Sequence, residues 1–106
     1  MAKAEITSGI CGFTATVITR KEGSRVVVTV ESDCDAIQRL GDELQEVDPF
    51  QEITFRGQGP KTLKMGAKHC YHAACPVPVG IIKAVEIESG LALPADASIA
   101  LSKTNE

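Results

Sequence analysis

Four cysteines and two histidines are the residues of this chain best suited to chemistry, and four of the six fall in one stretch, His69-Cys70-Tyr71-His72-Ala73-Ala74-Cys75-Pro76. A thiolate is a nucleophile and a soft metal ligand. An imidazole binds metal or holds a ligand through a hydrogen bond. Cys11 and Cys34 complete the set, with the spacing Cys11…Cys34…Cys70-x4-Cys75. Four thiolates can hold a two-iron or four-iron iron–sulfur cluster, or a zinc ion. Zinc knuckles usually pair as C-x2–4-C, and only Cys70 and Cys75 fit, at the wide limit. Iron–sulfur sites tolerate wider spacing, and Cys-Pro after the final ligand also occurs in bacterial ferredoxins. The metal reading therefore takes Cys11, Cys34, Cys70 and Cys75 as ligands. His69 and His72 are candidates to replace a ligand or to hydrogen-bond one.

The elements must bring these residues together. Lys3–Ser8 predicts a short strand, broken by Gly9-Ile10-Cys11-Gly12, where two glycines let the backbone turn tightly. Phe13–Arg20 alternates, with Phe13, Ala15 and Val17 on one side, and predicts a half-buried strand. Lys21–Ser24 is a turn, and Arg25–Glu31 a partner strand with Val26, Val28 and Val30 inward. Ser32 with Asp35 reads as a capping box, with Asp33 as the alternative N-cap. Ile37, Leu40, Leu44 and Val47 then share one helical face, and Asp48-Pro49 ends the helix. Gln51–Arg56 reads as a strand.

Lys61–Cys70 predicts a short helix with Cys70 inward and Lys61, Lys64 and Lys68 on a solvated face. Pro76–Ser89 predicts the last helix, with Pro76 at its first position, Cys75 at the N-cap and Gly90 closing it. Glu86 and Glu88 belong to its surface. Ser98–Lys103 alternates as a final strand with Ile99 and Leu101 inward, and Lys103–Glu106 frays.

The expected fold is α+β, a two-layer α/β sandwich in the order β-β-β-α-β-α-α-β. A mixed sheet of about five strands would carry its helices on one face. Short alternating connections place Cys11, Cys34, Cys70 and Cys75 at one end of the sheet. Cys34 and Cys75 would then lie at helix N-termini, where orphan N–H groups and the dipole favour negative charge.

Bulk properties narrow the function. The chain of 106 residues makes one domain, spanning 1–106. A net charge of −3 argues against nucleic acid and against anionic membranes. The start of the chain lacks an apolar signal-like core, and no run approaches a membrane span. A cytoplasmic location is expected, where cysteines serve as ligands or reactive thiols more than as staples. No Gly-x-Ser-x-Gly elbow, P-loop or His-Glu-x-x-His motif points to an enzyme. A Cys75–His72 or Cys75–His69 nucleophile pair rests on local spacing alone.

Cys75-Pro76-Val77-Pro78 resembles the CPxP motif of TusA-like sulfur carriers, in which the cysteine opens a helix and carries a persulfide. That likeness covers about ten residues and implies Cys75 as a catalytic sulfur carrier. Across nearly the whole chain, S-G-I-C-G-F, S-D-C-D-A-I, H-C-Y-H-A-A-C-P-V-P and G-L-A-L-P-A-D are similar to a family of small uncharacterised four-cysteine proteins of anaerobic prokaryotes. The reading that follows is a metal or iron–sulfur protein with a redox, electron-transfer or cluster-handling role and a protein partner. The alternatives are a persulfide carrier on Cys75, and a structural or interaction domain with reduced or disulfide-bonded cysteines.

Overall fold

The computed structural model describes residues 1–105. Three consecutive strands, β1 (Ala2–Thr7), β2 (Thr14–Glu22) and β3 (Arg25–Ser32), form an antiparallel meander. Strand alternation buries one face: Ala15, Val17 and Thr19 from β2, with Val26, Val28 and Val30 from β3. Helices α1 (Asp35–Leu44) and α4 (Val77–Glu88) cover that face, α1 over β3 and α4 over β1 and β2. Helix α3 (Lys61–His69) packs against both helices. The core joins the strand valines to Ile37, Leu40 and Leu44 of α1 and to Val77, Ile81 and Val85 of α4.

Two glycines set how closely the layers approach. Gly41 of α1 lies against Val30, whose Cβ would sit 2.6 Å from an added methyl. Gly80 of α4 lies on the Ile6 side chain of β1. These contacts also fix direction. The start of α4 stands at the Ile6 end of the sheet, and Thr19 Oγ1 donates to Ala84 O (3.1 Å) towards the other.

The α+β class, the hairpin and the helices on one face match the sequence expectation, but the sheet is neither mixed nor five-stranded. It is antiparallel throughout, in the order β1-β2-β3-β4, where β4 is the two-residue strand Glu46–Val47. Two segments read as strands are not. Gln51–Arg56 instead contributes to a one-turn helix, α2 (Pro49–Glu52), and a following turn. Asp48 Oδ1 accepts from Phe50 N (3.1 Å) and Pro49 takes the first helical position, so the helix-start chemistry overrides the short Ile53-Thr54-Phe55 pattern. Ser98–Lys103 is exposed and joins no ladder.

The predicted first helix is shorter than its apolar face. It ends at Leu44, and Gln45 turns the chain with φ 57°. Val47 is buried through β4 (Glu46–Val47), which pairs with Val26 and Val27, and not through the helix. A residue three positions after Leu44 satisfies either geometry, which is why periodicity misassigned it. The capping box is also absent. Cys34 is the N-cap, and Ser32 Oγ accepts from Cys34 N (3.1 Å) while donating to Thr14 O (2.7 Å). The expected fraying of Lys103–Glu106 includes Glu106, which lies outside the described residues.

Candidate thiol site

Glu52 organises the approach to the site. It is 2% exposed, and its carboxylate accepts from Lys61 N (2.7 Å), from Thr62 N (2.9 Å) and from Thr62 Oγ1. A buried carboxylate thus caps α3 from nine residues upstream, satisfying N–H groups that have no partner within the helix. Lys61 Nζ in turn donates to Leu44 O (3.1 Å), at the C-terminal end of α1. Lys68 and His69 both reach Glu43 of α1, at 2.9 and 3.0 Å. The hydrogen bond from Lys68, then that from His69, holds the Glu43 carboxyl below its usual range. Of the lysines assigned to a solvated face, Lys61 and Lys68 therefore tie α3 to α1. Glu88, assigned to the surface of the last helix, is mostly covered and accepts from Lys21 N at 2.8 Å.

With α3 fixed, its end delivers Cys70. Cys70 is the C-cap, and its N–H bonds Gly66 O at 2.9 Å. The loop then runs to Cys75, whose N–H bonds His72 O at 3.3 Å. Arg39 of α1 steadies this loop, donating to Tyr71 Oη (3.2 Å) with its guanidinium 5.7 Å from the ring centroid. The N-cap of α4 is Pro76 and not Cys75 as expected, so Cys75 sits one residue ahead of the cap.

Three sulfurs meet here. Cys34, Cys70 and Cys75 are half-buried and pack against the core. Cys70 and Cys75 line the same groove, and Cys75 and Cys34 are both near enough to act on the Cys70 thiol. The Cys70 thiol is pushed up to about 11, first by burial and then by the charge and hydrogen bond of Cys75, with Cys34 adding to it. Its place at a helix C-terminus works in the same direction, since the dipole there opposes negative charge. Of the expected pole, these are the sulfurs brought together.

Cys11 is placed differently. It lies in the Ser8–Phe13 turn between β1 and β2, closed by Ser8 N to Phe13 O (3.0 Å) and Gly12 N to Gly9 O (2.9 Å). Ser32 pairs with Ala15 at the same end of the sheet, so the turn and Cys34 share one pole. Cys11 is exposed there and does not touch the other three through the core. The histidines also divide. His69 faces Glu43, whereas His72 lines a groove of about 370 Å³ with Leu63, Cys70, Cys75, Pro78 and Val79. Among the described residues, no three His, Cys, Asp or Glu side chains stand at the spacing of a closed metal site. The thiols are neighbours, not a completed coordination sphere.

Sequence reasoning missed Glu52 and Arg39. Both act over long range in the chain, and neither spacing nor periodicity marks such a partner. No described helix is long and apolar enough to cross a membrane. No curated protein and no solved structure matches the chain. Residues 2–101 match a family model whose description is "Family of unknown function (DUF6951)", and the chain belongs to that family.

Proposed function

We propose that the pole formed by Cys34, Cys70 and Cys75, with Cys11 on the adjoining turn, is a site for a thiophilic metal or an iron–sulfur centre, serving redox, electron transfer or cluster handling with a protein partner. The observation that carries this reading is that Cys34, Cys70 and Cys75 all pack against the core, with Cys70 and Cys75 lining one groove beside His72. Gly9 (φ 88°) and Gly12 (φ 75°) give the Cys11 turn its tight bend at the same pole. Closing the sphere would require the donors to draw together, because as placed they do not hold metal spacing. Metal binding also requires Cys70 to lose its proton, so affinity rises steeply with pH. Four free thiols suit a cytoplasmic, reducing setting.

Anaerobic purification followed by metal and sulfide analysis and visible absorption tests the proposal. Stoichiometric iron with sulfide, or stoichiometric zinc, lost on Cys70→Ala and Cys75→Ala, is the expected result. A protein that stays folded and fails to take up iron or zinc after anaerobic reconstitution refutes it.

A second reading has its own observation. Cys75 opens onto the groove directly ahead of α4, beside His72 and a partly buried Cys70. That placement suits a persulfide carrier in which Cys75 holds the transferred sulfur. Mass spectrometry would then find one added sulfur atom, absent from Cys75→Ala, on metal-free protein.

A further inference from the structure

Beyond α4 the chain becomes an arm with nothing of its own to pack on. Gly90 N bonds Ile87 O (3.1 Å) and Leu91 N bonds Glu86 O (2.9 Å), which closes the helix with Gly90 at φ 73° and sends the chain outward. Residues 91–105 are exposed throughout, including Leu93 (88%), Ile99 (79%) and Leu101 (88%). The molecule measures 51 Å along its longest axis against 28 and 27 Å across, the elongation that an arm projecting from a compact body produces.

The arm's sequence is nevertheless that of a strand. Ile99 and Leu101 alternate with Ser98, Ala100 and Ser102. Its backbone N–H and C=O groups are exposed and have no ladder partners, which leaves them free to pair with a strand edge. The sheet has a matching vacancy. β1 pairs only with β2, so the outward-facing N–H and C=O groups of alternate residues along its six-residue outer edge have no strand partner, and that length equals Ser98–Lys103. Its inward side chains Ala4 and Ile6 are only partly buried against the core, which leaves apolar surface beside that edge. The arm does not turn back onto its own β1: it joins no ladder there and stays exposed along its length. Thirteen extended residues, Leu91 to Lys103, span about 43 Å at ~3.3 Å each, further than the body's shorter dimensions.

We infer that the arm of one copy adds as a fifth strand along the free edge of β1 in a second copy, and that the exchange is reciprocal. A two-fold dimer results, with each protomer's Ile99 and Leu101 covering the apolar rim at Ala4 and Ile6 of its partner. Exchange of an identical element is a low-cost route to a closed dimer, and strand addition supplies the missing ladder. This inference is independent of the thiol site.

Light scattering coupled to size exclusion, together with hydrogen exchange on the full-length chain, tests it. The expected result is twice the 11.2 kDa chain mass, with the β1 amides protected. In the double variant Ile99→Asp with Leu101→Asp the mass halves and exchange of the β1 outer edge speeds by an order of magnitude or more. Ala100→Pro, which removes a ladder donor without adding charge, gives the same shift. Any of three results overturns the inference: a monomeric wild-type chain, including one whose arm protects its own β1; a dimer that survives both variants; or a dimer whose β1 edge exchanges freely.

Discussion

Cys70 and Cys75, separated by four residues in the connection between α3 and α4, line one groove, and Cys75 helps to raise the Cys70 thiol. Burial holds the Cys70 proton and the neighbouring sulfur holds it further, so Cys70 stays a thiol where an ordinary cysteine ionises. At pH 8 Cys70 should therefore be alkylated by iodoacetamide far more slowly than exposed Cys11, as peptide mass mapping would report. Cys75→Ala removes the second and third causes and should move the Cys70 titration down towards 9.0. No movement would mean that Cys75 is not what holds the proton.

The same shift has a consequence for stability. Above the ordinary thiol value of 9.0 the unfolded chain gives up the Cys70 proton while the folded chain keeps it, up to about 11. The unfolded state then binds fewer protons, and stability falls as pH rises across that window. Metal-free protein should lose denaturation midpoint between those pH values, and Cys70→Ala should flatten that part of the profile.

Glu52 is predicted to matter more to stability than to any chemistry at the thiols. Glu52→Ala leaves Lys61 N, Thr62 N and Thr62 Oγ1 without their acceptor in a buried place, which costs about 2–4 kcal/mol on the scale of charged hydrogen bonds and lost caps. Glu52→Gln keeps one acceptor oxygen and should cost less. Urea titration separates the two. Equal midpoints for Glu52→Ala and wild type would show that α3 does not depend on this cap.

Gly41→Ala sets two effects against each other. Alanine favours a helix by about 1 kcal/mol over glycine. The added methyl, however, meets Val30 Cβ at 2.6 Å, and a β-branched side chain on a central strand cannot swing aside. Overpacking of this kind costs roughly 1–3 kcal/mol, so net destabilisation is expected as a lower thermal midpoint. Gly80→Ala meets the flexible end of Ile6 instead and should be the milder change.

The Glu43 bridge should appear at acid pH. Its carboxyl is held low by Lys68 and His69, so the stability it contributes is present above the ordinary carboxylate range and disappears as pH falls through the lowered folded value. Wild type should therefore lose thermal midpoint on acidification more steeply than Glu43→Gln. Parallel profiles would leave the bridge without energetic weight.

The amino-acid sequence by itself determined what could be read over short distances. Alternation in Ala15–Val17 and Val26–Val30 specified the hairpin and its buried face, because side chains on a strand point to opposite sides every second residue. Pro76 and Gly90 bracketed the last helix, and antiparallel connections carried Cys11, Cys34, Cys70 and Cys75 to one end. Only the tertiary structure decided the rest. It drew three of those sulfurs into mutual contact with the core and left Cys11 outside, because packing of α3 on α1 and α4 places Cys70 while a surface turn places Cys11. It turned Glu52 into a cap and Val47 into a strand residue, since each depends on a partner distant along the chain. The strand-like Ser98–Lys103 makes the same point: alternation gives a segment the capacity to pair, but a ladder forms only where an edge of the sheet is within reach.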